Sequence, residues 1–344
     1  MQIIKLTKEG ELVFVAQTIE DLWTIKTITN TNDIISGLSY RRQKGAEETN
    51  DSVRKTVFVH ICVEKYDFSE SLKSLRFTGK IIDSNPLDLA PIGDYHTLEV
   101  QLNKSYSLKK PCFFQHQLDL LQNSSKSSIT SSVLVLIIDD EEANVLQLSN
   151  IGTTEIATVC SGKTGKRYPS DFNIKNYFNE IYLVISKIDL PLIIAGCGHT
   201  KKEFFDFIKS KKKEQILEVN IQNTSRSSIS ELFKKPEVSK FFENSIMYKE
   251  QKIFDVFLEN LGKDNKKAVY GLDQIKSAID MGAVETILIS EKLWQSNLND
   301  IQELIRSAEK INAKVHVVDL EHEISRSLNS FSGIVANLRF ALNI

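Results

Sequence analysis

The residues best placed to do chemistry cluster in mid-chain, in Cys160-Ser-Gly-Lys-Thr-Gly-Lys-Arg-Tyr-Pro-Ser170. This stretch follows a strand-like run over 154–160 and comes close to a phosphate-binding loop. Set against G-x-x-x-x-G-K-[ST], the window runs from Ala157 to Thr164, so the first glycine is replaced by alanine. A phosphate loop must also lead straight into a helix whose N-terminus faces the anion. Pro169 follows instead, and proline disfavours helix at the residue before it. Nucleotide binding is therefore set aside. What remains is a glycine-hinged loop carrying Lys163, Lys166 and Arg167, suited to lie against a polyanion. A second cationic group, Arg41, Arg42 and Lys44, opens the polar segment 41–52, with Lys55 returning on the next strand. Such residues neutralise phosphate and leave sequence unread. The plain alternative for both groups is a solvated loop tip.

Metal-assisted phosphodiester cleavage would need clustered carboxylates to hold a hard cation. Glu9, Glu11, Glu20 and Asp21 are the nearby acids, with Glu20 and Asp21 as the catalytic candidates. Thr18 followed by acids in the first turn already reads as a helix cap, which explains both without a metal. His199 has no visible partner that would make it a base. Cys62, Cys112, Cys160 and Cys197 form no C-x-x-C pair, which disfavours zinc and disulfides and favours a reducing compartment. No cofactor is called for, and a divalent cation enters only with the cleavage chemistry.

Those residues need a scaffold, and 344 residues predict two or three domains. Net charge is −2; basic and acidic side chains number 16 and 16 over 1–126, 16 and 16 over 127–250, and 11 and 13 over 251–344. Any polyanion contact must come from local clusters. The start has no signal-peptide pattern, and the longest apolar runs fall far short of the roughly 20 residues that span a bilayer. A cytoplasmic protein with no membrane contact is expected. Strand patterns over 3–6, 11–17, 33–40, 56–64, 75–82 and 96–102, with a helix opening at Thr18, predict a small β-barrel-like domain. A helix over 113–121 and a serine-rich linker over 122–132 close it. Strands over 133–139, 143–148 and 154–160 then form a meander. It is followed by a helix over 174–188, a strand over 190–196, a helix over 201–213, a strand over 216–221, and a mainly helical 229–260 broken near Pro236. The last segment alternates: strand 268–270, helix 272–281, strand 284–290, helix 298–311, strand 314–320, an α/β sandwich. The fold class is thus multidomain α/β plus all-β, with domains over 1–127, 128–255 and 256–344.

Ala268-Val-Tyr-Gly-Leu-Asp-Gln-Ile-Lys-Ser-Ala-Ile-Asp-Met-Gly-Ala-Val-Glu-Thr-Ile-Leu-Ile-Ser290 closely resembles the C-terminal domain of the Pelota family, relatives of the class 1 release factors. The likeness spans the chain. Gly10-Glu-Leu-Val13, Glu20-Asp-Leu-Trp23 and Asn32-Asp33 resemble the family's opening, Leu192-Ile-Ile-Ala-Gly-Cys-Gly-His-Thr-Lys201 its central signature, and Phe331-Ser-Gly-Ile-Val-Ala-Asn-Leu-Arg-Phe340 its end. The compact chain without extra tails suggests an archaeal source. The resemblance implies an Sm-like β-barrel N-terminal domain, a central α/β domain shared with release factors, and a C-terminal α/β sandwich like that of ribosomal proteins that bind kinked RNA. It further implies a monomeric, tRNA-shaped ribosome-rescue factor of no-go and nonstop mRNA surveillance. An elongation factor 1 alpha-type GTPase would deliver it to an empty A site, where it meets mRNA and rRNA, and a recycling ABC ATPase would join it to split the subunits.

Release factors hydrolyse peptidyl-tRNA with a Gly-Gly-Gln loop, whereas this sequence contains no Gly-Gly pair. The matching loop carries Lys163, Lys166 and Arg167 in place of the catalytic tip, facing tRNA or large-subunit RNA. Arg41, Arg42, Lys44 and Lys55 match the family's loop that reaches the decoding centre. Gly196, Gly198 and His199 fall where the family's turn reads Pro-Gly-Phe and engages the GTPase. Here His199 replaces the aromatic anchor. The family has also been credited with a divalent-metal-dependent endoribonuclease activity in its N-terminal domain, for which Glu20 and Asp21 are the candidates; this is the alternative reading. A stand-alone RNA-binding protein is disfavoured by the acidic last segment.

Overall fold

A computed structural model describes residues 1–7, 10–42, 54–69, 72–126, 132–163, 173–209, 211, 215–222, 228–242 and 245–342. The chain divides into two compact units, Met1–Ile129 and Thr130–Ile344.

The first unit begins with β1 (Gln2–Leu6), β2 (Glu11–Val15) and α1 (Ile19–Ile28). Then come β3 (Ile34–Arg42), β4 (Arg54–Ser69), β5 (Ser74–Asn85), β6 (Tyr95–Val100), β7 (Ser105–Lys109) and α2 (Gln115–Lys126). The strands form one antiparallel sheet in the order β1-β2-β7-β3-β4-β5-β6. In a flat sheet β3 and β6, three places apart, would be separated by about 14 Å. Ser39 Oγ on β3 nevertheless sits 2.8 Å from His96 Nε2 on β6, so the sheet is strongly curved. Alternation sends Val57, Val59, Ile61 and Val63 inward to meet Phe14, Ile35, Phe77 and Leu108. Leu22, Ile25 and Ile28 of α1 join that core. β7 was not expected: Ser-Tyr-Ser-Leu-Lys is short and half polar, yet it fills the place between β2 and β3.

The second unit contains two sheets. The first has β8 (Val133–Ile138), β9 (Glu142–Leu148), β10 (Thr153–Cys160), α3 (Ile174–Ile185), β11 (Leu192–Gly196), α4 (Thr200–Lys209) and β12 (Ile216–Asn220), in the order β10-β9-β8-β11-β12. β8 to β10 are an antiparallel meander, whereas β11 lies parallel to both β8 and β12. The run Val133-Leu-Val-Leu-Ile-Ile138 is buried throughout because both faces are covered. Val133, Val135 and Ile137 meet α5 (Ser228–Phe233), α6 (Ser239–Phe242) and the start of α7 (Ile246–Gly262), while Leu134, Leu136 and Ile138 meet α3 and α4. α7 runs unbroken across residue 255 and carries Phe254 and Phe257 into the next core. There β13 (Ala268–Tyr270), α8 (Leu272–Asp280), β14 (Val284–Ser290), α9 (Glu291–Ser296), α10 (Leu298–Lys310), β15 (Lys314–Val318), α11 (Ile324–Ser330) and β16 (Ile334–Leu338) build a sheet in the order β13-β16-β14-β15. β16, not read as a strand from sequence, lies antiparallel to both its neighbours and makes the sheet mixed. Among the described residues no helix is long and apolar enough to cross a membrane.

Candidate nucleic-acid interface

The β3–β4 register sets Arg41 opposite Lys55 and Arg42 opposite Arg54. Like charges directly opposite on a ladder repel, so the Arg41–Lys55 pairing comes at a cost to the hairpin's own stability. Arg54 was not a sequence candidate, because only the register shows that it faces Arg42. Lys55 is exposed. Arg41 turns back onto its own unit: Nη1 donates to the Leu89 carbonyl at 3.1 Å and Nη2 to Asp94 Oδ2 at 3.1 Å. Burial, then the Arg41 cation, holds the His96 imidazole below its ordinary pKa. The backbone of Arg42 ends β3, and Lys44 lies outside the described residues.

In the second unit the loop after β10 is tied to the turn between β8 and β9. Ser161 donates from N to the Glu141 carbonyl at 2.8 Å and from Oγ to the Asp140 carbonyl at 2.8 Å. Gly162 then takes φ +73°, and Lys163 forms a close ion pair with Asp140. That hydrogen bond holds the Asp140 carboxyl below its usual range. The Lys163 charge is thus partly met by the chain's own acid. Lys166 and Arg167 lie outside the described residues.

Gly196 ends β11 where a β-carbon would stand 2.1 Å from the Ile138 carbonyl oxygen, so only glycine lets the two strand ends approach. Gly198, at φ +75°, reverses the chain in open space. Cys197, Gly198 and His199 are exposed, and the His199 carbonyl accepts from Glu203 N at 3.1 Å as α4 begins. Beneath the turn Lys201 is 2% exposed; Nζ donates to Asn220 Oδ1 and lies 3.6 Å from Glu218 Oε1. Sequence reading missed this lysine, since a Lys-Lys pair opening a helix looks solvated. β8 and β11 are parallel neighbours, so the 196–200 turn and the Asp140–Lys163 pair occupy the same end of the sheet.

Asp21, one of the two catalytic candidates, is 3% exposed. Its Oδ2 accepts from Gln17 N at 2.8 Å and Thr18 N at 3.0 Å and meets the terminal ammonium of Met1 at 2.9 Å. Oδ1 accepts from Ser124 Oγ at 2.7 Å. Thr18 and Asp21 form a capping box, with Glu20 beside it in the same first turn. Glu11 pairs with Lys5 at 2.6 Å, and Glu9 lies outside the described residues. A divalent cation does not fit a carboxylate so fully engaged. Among the described residues no group of three His, Cys, Asp or Glu side chains is placed to hold a metal.

Two family models match the chain: the Pelota N-terminal domain over residues 1–125 and eRF1 domain 3 over residues 247–342. The protein pelota homolog of Methanococcus vannielii is 31% identical over 353 residues, covering 99% of each chain. Among solved structures, the Pelota protein of Thermoplasma acidophilum matches with a TM-score of 0.80 at 20% identity, covering 99% of this chain and 100% of that one. S. cerevisiae Dom34, described as a translation termination-like factor involved in RNA quality control pathways and interacting with Hbs1, matches with a TM-score of 0.53 at 20% identity, covering 99% of each. Both structures share the three-domain fold, an all-β sheet domain followed by two α/β domains. On a likeness that runs from end to end, the chain belongs to the Pelota family.

Proposed function

We propose that this chain is a ribosome-rescue factor that enters the empty A site of a stalled ribosome as a tRNA mimic and promotes subunit dissociation without hydrolysing peptidyl-tRNA. The observation that carries the reading is the β3–β4 register, which gathers Arg41, Arg42, Arg54 and Lys55 at one hairpin end. A polyanion offsets that repulsion, and phosphate contacts of this kind serve any codon alike. Family membership and the RNA quality-control role ascribed to Dom34 support it. The absence of a Gly-Gly pair supports the exclusion of peptide release, since a backbone that approaches the ester closely needs glycine's freedom.

In this reading the domains run over 1–127, 128–255 and 256–344, the first an Sm-like barrel and the last akin to ribosomal proteins that bind kinked RNA. Lys163, Lys166 and Arg167 face tRNA or large-subunit RNA. The turn of Gly196, Gly198 and His199 engages an elongation factor 1 alpha-type GTPase, and a recycling ABC ATPase completes the splitting. The protein acts in the cytoplasm as a monomer. The engaged carboxylate of Asp21 gives the nuclease alternative no support.

Ribosomes stalled on an end-labelled mRNA, supplied with this protein, the GTPase and the ABC ATPase, provide the test. The expected result is subunit splitting with mRNA and peptidyl-tRNA intact. Ribosomes that stay joined would overturn the rescue reading, and new mRNA ends that vanish with chelator would overturn its non-catalytic part.

A further inference from the structure

The outer face of the same hairpin carries side chains for which the rescue reading has no use. Alternation buries Val57, Val59 and Ile61 and leaves the residues between them outside. On that outer side Leu38 is 57%, Tyr40 55% and Phe58 38% exposed. Leu38 lies opposite Phe58 and Ser36 opposite His60, and the two-residue spacing from Leu38 to Tyr40 keeps all of them on one face. The His60 ring meets Phe58 edge-on, with centroids 5.2 Å apart at 66°, and its Nδ1 is 2.8 Å from Ser36 Oγ. Behind the strip, Gly37 lets β3 lie flat on the Tyr106 ring: a β-carbon there would be 2.3 Å from Cδ1. The Tyr106 hydroxyl donates to the Glu99 carbonyl at 3.1 Å and accepts from Gln101 N at 3.1 Å, which fixes the support.

Single exposed apolar residues are ordinary, but a contiguous strip marks a binding surface. The charge beside this one indicates what binds. Lys104, from the turn after β6, stands over the Tyr40 ring at 5.8 Å from its centroid. A partner with flat π faces on a polyanionic backbone complements aromatic rings flanked by an ammonium group, and single-stranded RNA is that partner.

We propose that Tyr40 and Phe58 form a stacking platform for unpaired RNA bases, with Lys104 neutralising an adjoining phosphate. It rests on the reading above only in taking RNA as the partner. Stacking is tolerant of sequence because every base offers a π face, so the platform adds affinity while leaving the codon unread.

The test compares binding of the full-length protein to a labelled oligouridylate of about 12 nucleotides, within the site size one small β-fold covers, and to an abasic strand of equal length and charge. Wild type is expected to prefer the base-bearing strand. Tyr40→Ala and Phe58→Ala should each cut that preference about five-fold or more, while the slope of log K against log salt holds. Tyr40→Phe should keep the preference. Lys104→Gln should lessen the salt slope by about one and leave the preference in place. Equal binding of both strands by wild type, or an undiminished preference in both alanine variants, would overturn the platform. Ribosome splitting is followed on the same preparation: splitting without base preference removes the platform alone, and base preference without splitting removes the rescue reading alone.

Discussion

Gly196 and Gly198 stand two residues apart in one turn, yet different physics requires each. At Gly196 the constraint is space, with the Ile138 carbonyl where a β-carbon would go; at Gly198 it is the positive φ, with nothing nearby. Gly196→Ala must push β11 off β8 and should cost about 1–3 kcal/mol. Gly198→Ala meets only the left-handed penalty, about 1 kcal/mol. Denaturant midpoints for the two variants should fall in that order, and the reverse order would show that the strand ends can part freely. The start of α1 admits a similar graded test. Thr18→Ala removes one cap bond and should cost about 1 kcal/mol. Asp21→Ala should cost more, because its buried carboxylate answers two backbone N–H groups and the Ser124 hydroxyl as well as the terminal ammonium. If the two variants melted alike, the carboxylate would be exposed in solution and open again to a metal.

In the proposed reading, the β3–β4 hairpin gathers cations against its own stability. Lys55→Glu places an acid opposite Arg41 and should raise stability by a few tenths of a kcal/mol, while RNA affinity falls and its salt slope shrinks by about one. A variant both less stable and unchanged in RNA binding would mean that the register is incidental. The chemistry of this element was legible in the sequence only in part. Arg41, Arg42 and Lys55 were evident as charge, but Arg54 emerges from register, a relation between distant positions that local pattern does not encode. Arg41 was placed at the tip, whereas Asp94 and the Leu89 carbonyl, some fifty residues away in sequence, draw it inward. The fold followed pattern closely where burial was periodic, as in α3, and where a short apolar run was continuous, as in β8. It was missed at β7 and β16. β7 is half polar and β16 fully buried, and both lie inside sheets whose neighbours are far away in sequence, so tertiary pairing decides them.

At the scale of the molecule, the second unit is held together by a buried ion pair that links segments of distant origin. His322, just beyond β15, places Nδ1 2.6 Å from Glu250 Oε2 on α7 and Nε2 3.0 Å from the Asn150 carbonyl, in the turn between β9 and β10. Asn150 Oδ1 also accepts from Ile246 N at 3.0 Å, so one turn touches both the start of α7 and the last domain. Burial alone would lower the His322 pKa, but the Glu250 carboxylate and its hydrogen bond, with Asp319 nearby, push it up to about 9. A histidine whose folded pKa lies above its unfolded value of about 6.5 binds its proton more tightly in the folded state. Its stabilisation is complete below about pH 6.5 and drains away as pH rises through about 9. The amount at stake is about 3 kcal/mol, since each tenfold gain in proton affinity is worth about 1.4 kcal/mol. Glu250→Gln keeps the size of the partner but removes the charge that holds the proton. Wild type should therefore lose stability steeply between neutral and mildly alkaline pH in denaturant titrations, whereas Glu250→Gln should start lower and change far less. Parallel curves for the two proteins would mean that His322 is neutral when folded, and the two sheets of this unit would then be joined by packing and hydrogen bonds without an ion pair.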